Sequence, residues 1–298
     1  MTARKILRGI GYSLAGLAGL VVLTAAGVYG VSASRMSRKF VVPEHKITPR
    51  TDSASLAAGA RLVRIHGCVD CHGPNLGGNI MFDNAALGRL AGPNLTSGGR
   101  GAELEPLDFE RAIRHGVRRD GTPLRVMPAQ EFTTLADDDL EEIVGYIRSV
   151  PAVTKPPVPS VVGPLVRVLF VAHQVDLLPA ELIDHSKPHI AHIDAEPTAA
   201  FGEYVASGCK GCHGPGFSGG KIPGGPPDWK PAANITPTGI GRYSENDFMN
   251  VLRTGKRPDG SQLDSLMPYR LTKDLTDVEI KALYAFLKTV PPKEFGNR

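Results

Sequence analysis

Two copies of the pattern Cys-x-x-Cys-His constrain this chain more than any other feature of its sequence. They contain all four cysteines of the 298 residues, which are Cys68, Cys71, Cys209 and Cys212. The second cysteine of each pair is followed directly by a histidine, His72 in the first pattern and His213 in the second. The fold must therefore bring two thiols and one imidazole together twice.

The sequence around each pattern also repeats, at an offset of about 140 residues. Residues 67–74 match residues 208–215. Later matches follow in the same order: residues 94–96 with 234–236, 120–121 with 259–260, and Met127-Pro128 with Met267-Pro268. This offset is far longer than the roughly 20–50 residues of a solenoid repeat. We predict a duplicated domain, with one copy at residues 53–151 and the other at 197–298.

Local patterning favours short helices joined by loops. Gly and Pro number 34 and 25, while aromatic residues make up only 6% of the chain. Apolar residues recur at helical spacing before each Cys pattern and at the end of each copy. Asp52 and Ser53 are candidate caps of the first helix, and Thr276 and Glu279 have the spacing of a capping box. No segment alternates as a strand does, so we predict an all-α fold.

The charge distribution argues against a nucleic-acid partner. The net charge of +4 arises from residues 1–50, which carry +7, while the rest of the chain carries −3. Residues 51–298 contain no stripe of Lys and Arg of the kind that nucleic-acid-binding surfaces carry. The first copy (residues 51–150) carries −4 and the second (residues 197–298) carries +3. Opposite charges suggest a different docking partner at each end, or else ordinary solvated surface.

The N-terminal segment, residues 1–34, contains an uncharged run of 22 residues from Ile10 to Val31. As a helix this run would be about 33 Å long, which is enough to cross a bilayer. We predict a membrane anchor, with cleavage as a signal peptide after residues 31–33 as the alternative. Both interpretations export the remaining chain, which begins with a linker at residues 35–52.

A second linker, residues 152–196, separates the two copies. It begins with the Pro-rich sequence at residues 155–159, which is typical of a stiff extended spacer. The apolar stretch at residues 165–178 is too short to span a membrane. We expect it to form a helix that packs between the domains, and a membrane-surface or partner-docking patch is the alternative.

Four kinds of site could use the cysteines. A shared zinc site is disfavoured because the pairs lie in separate copies, and disulfides would leave both histidines unexplained. A redox dithiol would need a thioredoxin-like setting, which the sequence lacks. Covalent haem c accounts for both thiols, which bond the haem vinyl groups, and for the histidine, which ligates the iron. We therefore predict two haem c groups, one per copy. Each would also fill a core that has few aromatic side chains.

The matched methionines are the candidate sixth ligands of the iron. Met127 and Met267 lie 55 and 54 residues after their histidines, and each precedes a proline. A lone methionine is usually core filler, but the paired position favours ligation. Met81, His66 and His115 are the other candidates in the first copy.

The sequence resembles class I cytochromes c, here as two tandem domains after one transmembrane helix. It is similar to the cytochrome c subunits that accept electrons from periplasmic sugar and alcohol dehydrogenases. The resemblance implies that Cys68, Cys71, His72 and Met127 hold the first haem, and that Cys209, Cys212, His213 and Met267 hold the second. It also implies that the Pro93 carbonyl, in the loop with Asn94, accepts a hydrogen bond from His72. The second copy has Ala233 and Asn234 there, so we expect the two haem potentials to differ.

These features predict an electron-transfer protein rather than an enzyme, because iron with both axial ligands in place does not readily bind substrate. We expect the domains to lie in the bacterial periplasm at the inner membrane. They would relay electrons from a dehydrogenase or quinol-oxidising complex to a cytochrome or terminal oxidase. The alternatives are a haem enzyme, such as a dihaem peroxidase or a thiosulfate-oxidising cytochrome, and an obligate subunit of a larger dehydrogenase or oxidase complex.

Overall fold

The structure, a computed structural model, describes residues 3–226 and 228–298. It begins with helix α1 (Ala3–Ser37), whose residues Leu7–Ser37 are long and apolar enough to cross a membrane. The side chains described along this stretch are largely exposed, as expected for a surface that meets lipid rather than protein. Length and composition fit a membrane anchor and a signal sequence equally well.

The first repeat is built on four helices. These are α2 (Ser53–Ile65), α3 (Cys68–His72), α4 (Pro106–His115) and α5 (Asp137–Ser149). Helix α2 begins where the Asp52 carboxylate accepts hydrogen bonds from the backbone N–H groups of Ala54 and Ser55. The core lies between α2, α4 and α5, and its most buried side chains include Leu62, Val63, Leu140 and Val144.

The first repeat also contains a small antiparallel sheet, which corrects the prediction of an all-α fold. The chain is mostly helical, at 46%. Strand β1 (Gly77–Asn84) nevertheless pairs with β2 (Gly88–Asn94), and β2 pairs with β3 (Val161–Val162). Most side chains of β1 are exposed on both faces of the sheet, so no apolar and polar alternation marks the strand in the sequence. Strand β3 comes from the linker, a pairing that local patterning does not reveal.

The second repeat keeps the helices and lacks the hairpin within its described residues. Its elements are α7 (Ala199–Val205), α8 (Lys210–His213), α9 (Pro237–Ile240), α10 (Glu245–Thr254), α11 (Tyr269–Thr272) and α12 (Asp277–Leu287). The capping box at the start of α12 is confirmed, because Thr276 and Glu279 each accept a hydrogen bond from the other's backbone N–H. A single bridge, Gly220 to Ala232, replaces the sheet.

The apolar stretch of the linker forms helix α6 (Pro164–Val171), which packs on the end of α1 and not between the repeats. Phe170 is 1% exposed and packs with Leu177, Leu178 and Met36. The Arg35 guanidinium lies 3.8 Å from the Phe170 ring centre, and Arg167 donates to the Ser32 hydroxyl at 2.7 Å. This cation–π contact stabilises the packing of α6 on the basic end of α1.

Each repeat depends on a glycine where its first and last helices cross. A Cβ added to Gly59 of α2 would lie 2.1 Å from the Glu142 carbonyl oxygen of α5. A Cβ on Gly202 of α7 would lie 1.9 Å from the Ala282 carbonyl oxygen of α12. Both distances are far below van der Waals contact, so only glycine permits this approach.

We expect Gly59→Ala and Gly202→Ala each to lower the free energy of unfolding by about 1–3 kcal/mol or more, because the helices must separate. Urea denaturation followed by circular dichroism would measure this. Gly208→Ala is the control, since a Cβ there meets nothing within 4 Å and the better helix former should be neutral or stabilising. Equal stability of all three variants would contradict the close-packing account.

Candidate functional site

The first Cys-x-x-Cys-His pattern forms the short helix α3, and the second runs from Cys209, directly before α8, to the end of α8 at His213. All four cysteines are free thiols. Burial raises the pKa of Cys68 and of Cys209 to about 12, and it also raises the pKa values of Cys71 and Cys212. Gly67 starts α3 in the left-handed region, with φ of 69°. Each pattern thus presents two protonated thiols and one imidazole within five consecutive residues.

Each histidine is oriented by a backbone carbonyl. His72 Nδ1 lies 2.9 Å from the Pro93 carbonyl oxygen, and His213 Nδ1 lies 2.7 Å from the Ala233 carbonyl oxygen. A carbonyl only accepts, so Nδ1 carries the proton and the lone pair is on Nε2. Burial lowers the pKa of both imidazoles, which favours this neutral form. The replacement of Pro93 by Ala233 therefore preserves the hydrogen bond.

An asparagine holds each accepting carbonyl in place. Asn94 donates to the Val153 carbonyl and accepts from Thr96 N–H at 2.9 Å. Asn234 donates to the Lys293 carbonyl at 2.7 Å and accepts from Thr236 N–H at 2.9 Å. In both repeats the loop that orients the histidine is thus tied to the segment that follows the last helix. These asparagines support the site through the backbone.

The predicted methionine ligands lie in two loops of matching geometry. Pro128 and Pro268, which follow them, have φ and ψ of −79° and 55° and of −79° and 56°. These angles form an inverse γ-turn. Met127 packs against the same core as Cys68, and Met267 against the same core as Cys209. Each methionine is therefore on the core shared with its Cys pattern, and its role as an iron ligand stays a prediction.

The other candidate ligands of the first repeat have different surroundings. Met81 is 40% exposed on β1. His66 ends α2 and packs edge-on against Phe132, with 5.7 Å between ring centres. His115 is buried against other histidines at the end of α4. Met127 shares a core with Cys68, whereas these three side chains have other packing partners.

The residues of both sites fit covalent haem c. The chemistry needs two free thiols and an imidazole whose Nε2 can bind iron, and both repeats supply them. The carbonyl behind each imidazole fixes its orientation and increases its basicity as a ligand. Met127 and Met267 add one thioether to each core.

The two repeats contact each other through the Cys patterns and the loops that follow Met127 and Met267, which we call the methionine loops. A Cβ on Gly211, between Cys209 and Cys212, would lie 2.2 Å from Glu131 Oε1 of the first repeat. Reciprocally, a Cβ on Gly67 would lie 3.6 Å from Leu271 Cδ1 of the second repeat. Glu131 and Leu271 each lie four positions after their methionine. Each methionine loop therefore covers the other repeat's Cys pattern.

Ion pairs and hydrogen bonds extend this contact, which we call the repeat interface, in the same reciprocal way. Arg61 of α2 binds Glu279 of α12 at 2.8 Å, and Tyr204 of α7 donates to Asp139 of α5. Glu279 and Asp139 are each the third residue of their helices. Two further ion pairs join the repeats: Arg64 with Asp274 at 2.9 Å and Arg270 with Asp70 at 3.3 Å. The repeats are thus related by an approximate two-fold arrangement.

The site residues that the sequence predicts stay predictions, and the sequence gives no indication of the residues that join the two repeats. Glu131, Arg61 and Tyr204 are ordinary polar residues of a helix or turn, and neither spacing nor composition distinguishes them. Sequence reasoning also missed Arg298, which donates to the Cys212 carbonyl at 3.0 Å. The paired position of Glu131 and Leu271, after matched methionines, is the one sequence signal that could have identified this contact.

Comparison with known families accounts for both repeats. Residues 200–291 match the family described as cytochrome c, and residues 54–147 match that described as cytochrome c oxidase, cbb3-type, subunit III. The two repeats are cytochrome c domains. Such domains carry covalently bound haem c.

The cytochrome c domains are also similar to subunits of known dehydrogenases. The chain is 28% identical over 286 residues to the cytochrome c subunit of a quinone alcohol dehydrogenase from Gluconacetobacter polyoxogenes. That alignment covers 82% of this chain and 58% of the relative. The corresponding Gluconobacter oxydans subunit is 26% identical over 279 residues, with 83% and 57% covered. A fructose dehydrogenase cytochrome subunit from Gluconobacter japonicus is 38% identical over 112 residues, with 34% and 22% covered.

We expect the pH dependence of stability to change in Glu131→Gln. Burial raises the pKa of Glu131 from 4.5 to about 7. Between these values the unfolded chain loses the proton first, so folding stability falls as pH rises. The variant should lack this loss and be more stable than the wild type at pH 8, by at most about 3 kcal/mol, while differing little at pH 4.

Urea midpoints of the haem-loaded proteins at pH 4, 6 and 8 would measure the effect. Glu203→Gln is the matched control, because Glu203 is exposed. If the urea midpoints of Glu131→Gln and Glu203→Gln both change with pH as those of the wild type do, then Glu131 ionises as a solvated carboxyl. That result would contradict its burial at the repeat interface.

Proposed function

We propose that this protein carries two haem c groups and relays single electrons between them. Cys68 and Cys71 would hold the first haem covalently, with His72 and Met127 as iron ligands. In the second domain the corresponding residues are Cys209, Cys212, His213 and Met267. The observation that carries the proposal is the repeat interface, in which each methionine loop covers the Cys pattern of the other domain.

Haem c supplies a reversible one-electron iron couple. The protein's own residues prepare its surroundings. The carbonyls of Pro93 and Ala233 hold the two imidazoles in the tautomer that leaves Nε2 free. Met127 and Met267 pack against buried cores, which would keep water away from the methionine side of each haem. A methionine on each iron would leave no open position for substrate, which favours electron transfer over catalysis.

The domains differ in the electrostatics around their Cys patterns. Arg298 is near the second pattern, where its guanidinium donates to the Cys212 carbonyl. Glu131 also faces this pattern, and its side chain takes up a proton more readily than an exposed carboxylate. The first pattern instead has Asp70, paired with Arg270 at 3.3 Å. These differences support two distinct potentials, as the replacement of Pro93 by Ala233 also suggests.

The relatives support a place beside a dehydrogenase. Their names describe cytochrome subunits of quinone alcohol dehydrogenases and of a fructose dehydrogenase. This chain spans about 58% of the length of the alcohol dehydrogenase subunits that it matches. We infer that it takes electrons from a dehydrogenase and passes them to a membrane-bound or periplasmic acceptor. An obligate subunit of such a complex fits the relatives equally well.

The N-terminal helix supports a location at the bacterial inner membrane. Helix α1 is long and apolar enough to span the bilayer, and basic residues flank both ends of its apolar run. Haem attachment outside the cytoplasm would place the domains in the periplasm. Helix α6 packs on the end of α1, so the first domain would lie close to the membrane surface.

We expect a redox titration of the purified protein to resolve two one-electron steps with different midpoints. Electron paramagnetic resonance should show two low-spin haems, and added peroxide should leave both spectra unchanged.

Replacing Cys68 and Cys71 by Ser should remove one haem and one step, and replacing Cys209 and Cys212 should remove the other. Met127→Ala and Met267→Ala should each convert one haem to a high-spin, ligand-binding form. A high-spin haem or a peroxide response in the wild type would instead favour a haem enzyme.

We also expect the repeat interface to control the exchange of electrons between the domains. Arg61→Glu places like charges against Glu279, whose side chain is only 9% exposed, and should open the interface. After flash photoreduction, the rate at which electrons equilibrate between the two haems should then fall at least severalfold, while both midpoint potentials remain unchanged. Lys256→Glu, at an exposed site within the second domain, is the control. Equal rates in the two variants and the wild type would show that the electron path does not cross this interface.

A further inference from the structure

A cluster of histidines around a buried carboxylate joins the linker to the first domain, apart from both Cys patterns. We call Glu110, His115, His185 and His189 the His–Glu cluster. Glu110 and His115 lie on α4, and the other two histidines lie on the linker. The Glu110 side chain is 0% exposed, and neither of its oxygens has a hydrogen-bond partner among the described residues. Such a group is costly to bury unless something compensates its charge.

The hydrogen bonds of the cluster determine which nitrogen of His115 carries a proton. His185 Nε2 lies 3.1 Å from the Ala180 carbonyl, so it donates there and leaves the His185 Nδ1 lone pair as an acceptor. His115 Nδ1 lies 3.0 Å from that nitrogen and must donate to it. The lone pair of neutral His115 is therefore on Nε2, which lies 3.5 Å from Glu110 Oε1. Two acceptors thus face each other in a buried site, and a metal ion bound by both would remove this conflict.

The third group around this space is His189. Its Nε2 lies 3.7 Å from Glu110 Oε1, and its side chain is 13% exposed. Burial lowers the pKa of His189, with a further contribution from Arg114, so a proton on this ring is disfavoured as the compensating charge. One ligand atom from each of Glu110, His115 and His189 lies within 4.8 Å of the others.

The neighbouring charges leave room for a cation. Arg114 Nη1 is 3.9 Å from Glu110 Oε1, too far for a hydrogen bond. The same guanidinium binds Asp137 at 2.7 Å and donates to the Leu135 carbonyl. His45 Nε2 also binds Asp137, at 3.0 Å. With neutral histidines, Glu110, Asp137 and Arg114 together carry one net negative charge.

We propose that Glu110, His115 and His189 bind one Zn²⁺ ion. Zinc takes imidazole nitrogen and carboxylate oxygen ligands at about 2.0–2.2 Å in a tetrahedron, which places ligand atoms roughly 3.4 Å apart. The separations of 3.5 and 3.7 Å from Glu110 Oε1 to the two imidazole nitrogens are close to this spacing. Water would complete the tetrahedron. His185 is a positioning residue, since it accepts the Nδ1 proton of His115 as outer partners of metal-bound histidines do.

The site would join the linker to helix α4. Its ligands come from two segments more than seventy residues apart, and such a cross-link adds metal-binding energy to folding. This role is independent of haem binding and of the electron relay. A failure of the zinc proposal would leave the proposed function untouched.

The test measures metal in the complete haem-loaded protein, purified without a histidine tag. After removal of metals by a chelator, the protein is dialysed against micromolar Zn²⁺, and zinc and iron are counted by mass spectrometry. We expect one zinc per chain in the wild type and none in Glu110→Gln or His189→Gln. His185→Ala should weaken Zn²⁺ binding about 10–100-fold. His192→Asn is the matched control, because His192 lies on the same linker, is 62% exposed and binds Asp138 outside the cluster.

Two further measurements separate zinc binding from misfolding and from zinc on free thiols. The haem content and visible spectrum of each variant must equal those of the wild type, since a chain without haem would expose cysteines that bind zinc. The X-ray absorption edge of bound zinc should show nitrogen and oxygen ligands only. Added Zn²⁺ should raise the melting temperature of the wild type and of His192→Asn, and not that of Glu110→Gln. A haem-loaded wild type that retains no zinc, or zinc with sulfur ligands, would overturn the proposal.

Discussion

His72 and His213 each donate a hydrogen bond from Nδ1–H to a backbone carbonyl, and the rest of each domain is arranged around this hydrogen bond. A backbone acceptor has no side chain that could be replaced, so its position depends on the loop that carries it. Asn94 and Asn234 hold that loop against the segment after the last helix. That helix is in turn held against the first helix at Gly59 or Gly202. The orientation of one imidazole therefore connects segments from both ends of each domain.

Duplication explains why the two domains can cover each other. An approximate two-fold arrangement uses each surface twice, so a methionine loop that fits one Cys pattern tends to fit the other. The residues in these equivalent positions have nevertheless diverged. Glu131 occupies one position and Leu271 the other, so one domain meets a carboxyl group where its neighbour meets an aliphatic side chain. Duplication thus provides the proximity that a relay needs, and divergence provides an electrostatic difference between its two ends.

The chemistry of each domain could be predicted from the sequence much better than the contacts between domains. The Cys patterns, the matched methionines and the capping box are either local motifs or repeated ones, and a single sequence shows both kinds. The hairpin of β1 and β2 was missed because its side chains are exposed on both faces, which removes the alternation that marks a strand. Helix α6 was expected between the domains, yet Phe170 packs at the end of α1, because pairing with Arg35 depends on the three-dimensional path of the linker.

The linker belongs structurally to the first domain. It adds β3 to the sheet, places Phe170 against α1 and brings His185 and His189 to α4. The first domain, the linker and the end of α1 therefore form one packed unit. Within the described residues, the second domain is joined to this unit mainly by the repeat interface. That interface is rich in ion pairs, and several of its side chains are partly exposed. Since exposed ion pairs are weak and are screened by salt, the association of the two domains is the part of this architecture most sensitive to ionic strength.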